Sequence, residues 1–188
     1  NGSRGFDQSA DPLNGEKLMQ RLDPSEQSSL GKTVRLRLSR PLFKRLKQHL
    51  MSDARMEQFA FALFSQAKTT EGTILIVRDL FLPDRGDLAE QSAGCVAPTK
   101  RFQDAVYLIA QQRGLGILDI HTHPHQGNPR FSGIDQGESA RNGQYISRTF
   151  LAPATHAMVV FGNDATAHDA VVYDRLREGY RTIDCIEI

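Results

Sequence analysis

The residues able to do chemistry fall in one short stretch, His121-Thr122-His123-Pro124, followed by Ser132 and Asp135. It comes directly after the apolar run Leu115–Ile120, which reads as a strand. Alternate residues of a strand share a face, so His121 and His123 project side by side. Neutral imidazoles are preferred zinc ligands, and a third ligand would leave one coordination position for water. Asp135, returned by a loop to the start of the next helix, is the candidate for that ligand. Three of the six histidines lie between residues 121 and 125, and the last of them, His125, has the parity of a further ligand. Pro124 tends to end strand pairing, so His125 is expected in a loop lining a substrate groove.

Ser132 and Asp135 also have an ordinary reading. Ser-x-x-Asp at a helix start resembles a capping box, in which the serine oxygen accepts an orphan backbone N–H. Beside the two histidines, the stronger expectation is Asp135 as ligand and Ser132 as a hydrogen-bond donor near the metal. With three ligands committed to the ion, hydrolysis needs another group to handle protons. Glu57 opens a strand just before an apolar run. Glu71 falls in a hairpin turn and Glu90 in a loop, where positioning would be poorer.

The elements that must hold these groups can be read in order. Residues 1–31 are rich in Ser, Gly, Asp, Gln and Pro and read as a flexible lead-in or linker. The absence of an initiator Met is what an excised fragment would show. Residues 33–39 alternate as a half-buried strand, and Ser39 precedes an amphipathic helix with Leu42, Leu46 and Leu50 on one face. Residues 57–65 and 73–82 form two strands joined by the polar hairpin 67–72. A loop over 83–99 encloses a short strand near Cys95. Helix 100–113 buries Phe102, Ala105, Val106 and Ile109, and Gly114 ends it. After the histidine strand come a polar helix from Ser132 to about Ser147 and closing strands at 157–162, 169–173 and 182–188.

Composition bounds the rest. The chain has 188 residues, enough for one domain with a core, and 39% hydrophobic and 24% charged residues is ordinary globular composition. A formal net charge of +1 gives no support to a nucleic-acid or membrane-surface partner. Residues 32–47 hold seven basic and no acidic residues, a solvated face or a docking face for an acidic partner. No apolar run approaches a membrane span or a signal-peptide core. Cys95 and Cys185 stand alone, which reads as reduced, half-buried thiols and a cytoplasmic protein.

The spacing also resembles a family. His-x-His-Pro, seven residues, Ser, two residues, Asp is the signature of the JAMM (JAB/MPN+) zinc metalloproteases, and residues 121–135 fill every position. That family sets its catalytic Glu at the head of a strand with a small residue three positions on, as in Glu57 and Ala60; Phe64 stands where a Gly is frequent. The resemblance spans about residues 33–175 and implies an α/β fold, a mixed sheet flanked by helices, as one metalloprotease domain over 32–188. It implies one zinc held by His121, His123 and Asp135, Glu57 as proton shuttle, and Ser132 stabilising the oxyanion. The bond broken would be an amide or isopeptide.

About twenty residues separate Asp135 from the strand at Ala157, too few for the insertions of relatives that grip a second ubiquitin. The chain is therefore more similar to compact bacterial JAB peptidases. That likeness implies a ubiquitin-like protein or its conjugates as substrate, and E1-like and E2-like proteins as further partners. A His-x-His amidohydrolase would need a barrel of about 250 residues and more ligands; only His156 and His168 follow. A non-catalytic scaffold of the same fold would lack the ligands that this chain keeps.

Overall fold

The structure is a computed structural model that describes residues 28–188. Ten strands and three helices alternate: β1 (Thr33–Arg37), α1 (Arg40–Leu50), β2 (Phe59–Lys68), β3 (Gly72–Phe81), β4 (Leu88–Gln91), β5 (Val96–Pro98), α2 (Lys100–Arg113), β6 (Gly116–Thr122), α3 (Gly133–Thr149), β7 (His156–Phe161), β8 (His168–Asp174), β9 (Gly179–Thr182) and β10 (Cys185–Glu187). Eight strands make one mixed sheet in the order β10-β1-β3-β2-β6-β7-β8-β9, and β4 pairs with β5 separately. The expected α/β fold, a mixed sheet with helices packed on it, is what the chain adopts.

Strand parity divides the core. On β2 and β6, Ala60, Ala62, Leu118 and Ile120 pack with Leu46 and Leu50 of α1. Their odd-numbered neighbours Phe59, Phe61, Leu63 and Ile117 pack on the other face with Val106 and Tyr107 of α2 and Ile146 of α3. Phe59 meets Phe61 edge-on at 4.7 Å, and Phe61 meets Tyr107 edge-on at 6.1 Å. Glu57, Asp119, His121 and His123 carry the same odd parity, so the reactive groups are expected on the α2/α3 face. β6 runs antiparallel to β2 and parallel to β7, and α3 is the crossover between β6 and β7.

Several expectations shift in detail. Residues 1–27 of the expected lead-in lie outside the described residues. Residues 28–31 are part of the domain: Leu30 is 2% exposed and belongs to the core. The buried stripe of α2 is turned by one position, since Ala105 is exposed and Tyr107 and Ala110 are buried. Of the expected final strand 182–188 only Cys185–Glu187 forms β10; Thr182 ends β9, and the buried Ile183 lies between the two. Cys95 is partly buried but Cys185 is exposed, and both thiols are free. Arg35 and Arg37 of the basic stretch pair with Glu187 at 3.3 and 2.7 Å, while Arg40, Lys44 and Arg45 face solvent. No helix among the described residues is long and apolar enough to cross a membrane.

The first described residues are held by Asp174, a fully buried carboxylate at the end of β8. Ser28 donates its hydroxyl to it, Ser29 donates its N–H at 3.2 Å and its hydroxyl at 2.8 Å, and Leu176 donates its N–H at 3.0 Å. Burial acts to raise the Asp174 carboxyl, but the bonds from Ser28 and Ser29 outweigh it and hold the carboxyl below its usual range. Asp174→Ala leaves these donors without an acceptor and is expected to cost about 3 kcal/mol, read from urea midpoints. A depressed folded pKa stabilises the fold above the unfolded value of about 3.9, so the gap between wild type and variant should close as pH falls through the folded pKa. A gap that persists unchanged at low pH would contradict this account.

Candidate metal centre

The site is built at the C-terminal end of β6, where the sheet has β2 on one side and β7 on the other. Phe59 lies opposite His121, and the pairing runs one step further through Thr122 N–H to Gln58 O at 3.0 Å. The Thr122 hydroxyl, on the opposite face from the histidines, accepts the Gln58 N–H at 2.9 Å. The residue between the two histidines thus fixes the backbone beside Glu57. Glu57 itself stands two residues before β2 rather than inside it. Its N–H donates to Ser92 O at 2.8 Å and its carbonyl accepts Gln91 Nε2 at 3.0 Å, so the β4–β5 hairpin holds it from the other side.

Beyond β6 the chain still pairs with β7, since His123 N–H donates to Phe161 O at 2.9 Å. The chain then turns, with Gln126 N–H on His123 O at 3.1 Å and Asn163 N–H on Gln126 O at 3.1 Å. Gly162 makes that close approach possible, because a Cβ there would lie 2.6 Å from Gln126 O. The loop delivers the chain to α3, whose first turn is capped from both directions. Ser132 N–H donates to Asp135 Oδ2 at 2.6 Å, and Asp135 N–H donates to Ser132 Oγ at 3.2 Å. The ordinary reading of Ser-x-x-Asp is therefore correct, and it coexists with the other one: the same carboxylate that caps the helix faces the histidines.

His121 Nε2 lies 3.5 Å from Asp135 Oδ1, and His123 Nε2 lies 3.6 Å from Asp135 Oδ2. The ligand atoms of these three residues all fall within 4.8 Å of one another. His121 and His123 are 6% and 7% exposed, and His121 Nε2 is buried with no hydrogen-bond partner. Hydrogen bonds between nitrogen and oxygen run at 2.7–3.2 Å, shorter than these separations. Bonds of about 2.0–2.1 Å to a tetrahedral ion would put its ligand atoms about 3.3 Å apart, close to what is seen. An orphaned imidazole nitrogen, a second imidazole and a carboxylate at that spacing fit a metal ion. Among the described residues no other His, Cys, Asp or Glu group has such spacing.

Electrostatics follow from packing. Burial opposes the charge on Asp135, but the facing imidazoles of His121 and His123, with the Ser132 N–H, hold its carboxyl far below the usual carboxylate range. The contact with Asp135 raises His123 against the opposing effect of its burial. Glu57, 7% exposed, has its carboxyl raised chiefly by burial, with the two histidines pulling the other way. Its Oε1 lies 3.7 Å from His123 Nε2.

A cleft of about 590 Å³ opens on these groups, walled by the β4–β5 turn at Cys95 and by α3 at Ile134 and Asn142. Glu57, His121, His123, Ser132 and Asp135 all line it, so the structure brings the whole expected set together. His125 lines it too, exposed at the rim and outside the ligand group, as its loop position implied. Glu71 is an exposed hairpin residue 3.7 Å from Arg35, and Glu90 reaches the cleft only as an exposed side chain. Asp119 and Asn142 also line the cleft and had no place in the sequence reading. The signal for Asp119 was present: a carboxylate in the apolar run of β6, two residues before His121 and on its face. A comparison with protein-family models and one with curated proteins each found no match.

Ligand and cap can be separated by substitution. His121→Ala and Asp135→Ala should each abolish the binding of one metal ion per chain, read by metal analysis after dialysis. Ser132→Ala should keep the ion yet lose about 1 kcal/mol of stability through the cap. Asp135→Ala should show both losses when unfolding is followed in chelator. Full metal content in His121→Ala would remove the centre from this position.

Proposed function

We propose that this chain is a zinc-dependent peptidase or isopeptidase of the JAMM (JAB/MPN+) type. Its substrate on this reading is a ubiquitin-like protein, cleaved at the amide or isopeptide bond that follows its C-terminal tail. The observation that carries the proposal is a buried Glu57 carboxylate 3.7 Å from His123, at the edge of a His-His-Asp group that opens on a cleft. A metal centre alone fits many roles; a buried, separate carboxylate beside it is what hydrolysis requires.

His121, His123 and Asp135 would hold the ion, and the nitrogen-nitrogen-oxygen donor set suits zinc. Zinc bound there supplies a Lewis acid and lowers the pKa of water to about 7. Glu57 accepts the proton of the attacking water and delivers it to the departing amine. Burial suits it to this exchange, because a carboxyl raised from its ordinary value gives the proton up less readily until the amine takes it. Ser132 accepts the Asp135 N–H through Oγ and keeps its O–H proton to donate to the oxygen that becomes negative. The two-stranded β4–β5 pair leaves a strand edge beside the cleft, and an extended tail can add to such an edge.

The test is a cleavage assay on zinc-loaded protein, with ubiquitin-like proteins carrying C-terminal extensions, some linear and some joined through lysine. Wild type is expected to cut after the terminal residue of the tail. Glu57→Gln should bind one zinc and lose about 10²–10⁴-fold in rate, the range for a positioned acid–base group. Undiminished cleavage by Glu57→Gln would refute the role of Glu57. Absence of cleavage in zinc-loaded wild type across all such substrates would refute the substrate class.

A further inference from the structure

Beside the metal centre lies a second cluster of polar groups, buried at His156 and half-buried at Asp119 and Tyr180, that the proposed reaction does not use. His156, at the start of β7, is 0% exposed, and its Nε2 stands 3.0 Å from Asp119 Oδ2, a charge contact without the alignment of a hydrogen bond. The other ring nitrogen, Nδ1, is hydrogen-bonded to the Tyr180 hydroxyl of β9. That hydroxyl in turn donates to Ser139 O of α3 at 2.7 Å. Ser139 closes the path to the ligand: its own hydroxyl donates back to the Asp135 carbonyl at 2.5 Å. From the other end, Asn142 Nδ2 of α3 reaches Asp119 Oδ2 at 3.5 Å. A polar path, one charge contact followed by hydrogen bonds, thus runs from Asp119, two residues before His121 on the same strand face, round to the backbone of Asp135.

The composition of α3 explains why such a path is needed. Its buried residues are only Ser139, Gly143 and Ile146, so the helix has almost no apolar face with which to fix its own height and rotation. Gly143 lets it sit close, since a Cβ there would fall 2.4 Å from the Tyr173 ring and 2.8 Å from the Tyr180 hydroxyl. Apolar contact of this kind is non-directional, whereas hydrogen bonds to a carbonyl and a carboxylate fix position along and around the helix axis. The Tyr180 phenol is pushed far up, first by burial and then by the Asp119 carboxylate, so it stays a donor.

We infer that Asp119, His156 and Tyr180 form a polar bracket that docks α3 and so sets where Asp135 stands relative to His121 and His123. This rests on the metal reading of those three residues. The bracket members are positioning residues; none needs to touch the ion. Outer partners that orient ligands typically change metal affinity by 10–100-fold when removed.

The probe is Co²⁺ alone, titrated into the metal-free full chain, with its d–d absorption reporting the geometry of the ligand set. Competition against a chelator gives the affinity, and thermal melts of the metal-free protein give stability. Tyr180→Phe removes one hydroxyl and is expected to weaken Co²⁺ binding about tenfold and to alter the d–d spectrum. Tyr145→Phe, on the exposed side of the same helix, should leave both unchanged. Asp119→Asn, isosteric at the far end of the bracket, should move affinity and spectrum in the same direction, and carries the test if Tyr180→Phe does not fold. Wild-type affinity and spectrum in a folded variant would overturn the bracket, whatever happens to its melting temperature. Failure of the wild-type chain itself to bind Co²⁺ would instead overturn the metal centre on which the bracket rests.

Discussion

The main-chain pairing of β6 with β2 on one side and β7 on the other is the constraint on which the site depends. Backbone hydrogen bonds set the register of Phe59 against His121 and of His121 against Val160. Register then decides everything that a side chain can meet, because a slip of one residue would turn each odd-numbered group to the opposite face. In the observed register, His121 and His123 face α3, Glu57 comes up beside them from the segment leading into β2, and the even-numbered Ala60, Ala62, Leu118 and Ile120 enter the core under α1. The Thr122 hydroxyl closes the pairing where the regular ladder ends, so the last residue before the loop is as firmly placed as the strand interior.

Much of this was legible in the sequence, for a reason that can be stated. The pairing of His121 with His123 on one face follows from strand periodicity, which is local, and the cap at Ser132 and Asp135 follows from helix-start chemistry, which is also local. Glu57 was legible as a candidate because it precedes an apolar run that had to be a strand. Its tie to Ser92 and Gln91 was not legible, since the β4–β5 hairpin lies more than thirty positions away and carries no apolar period to announce where it docks. The same limit hid the role of His156. In sequence it stands 35 positions after His121, and only the parallel pairing of β6 with β7 brings it against Asp119. The one-residue rotation of α2 has a tertiary cause that propensity does not record: Tyr107 offers a large ring to Phe61 of β2, whereas Ala105 has little to bury.

The molecule divides its stabilising work between two kinds of contact. On the α1 face the sheet is covered by apolar side chains, mostly aliphatic with Phe64 and Phe161 among them. On the α3 face the cover is polar and the contacts are directional, which suits a surface that must present one carboxylate to two imidazoles. The candidate site therefore lies under α3, where apolar burial is least, and the cohesion comes from the aromatic cluster under α2 and from the α1 face.

The double duty of Asp135 has a consequence for how such a chain can change over time. A ligand that did nothing else could be exchanged at no cost to the fold, and a metal-free descendant would be one substitution away. At Asp135 the exchange would also open the first turn of α3, so loss of the carboxylate that faces the histidines and loss of the helix start arrive together. Drift at Asp135 is thereby opposed by folding itself, whereas drift at His121 or His123 leaves the helix start intact.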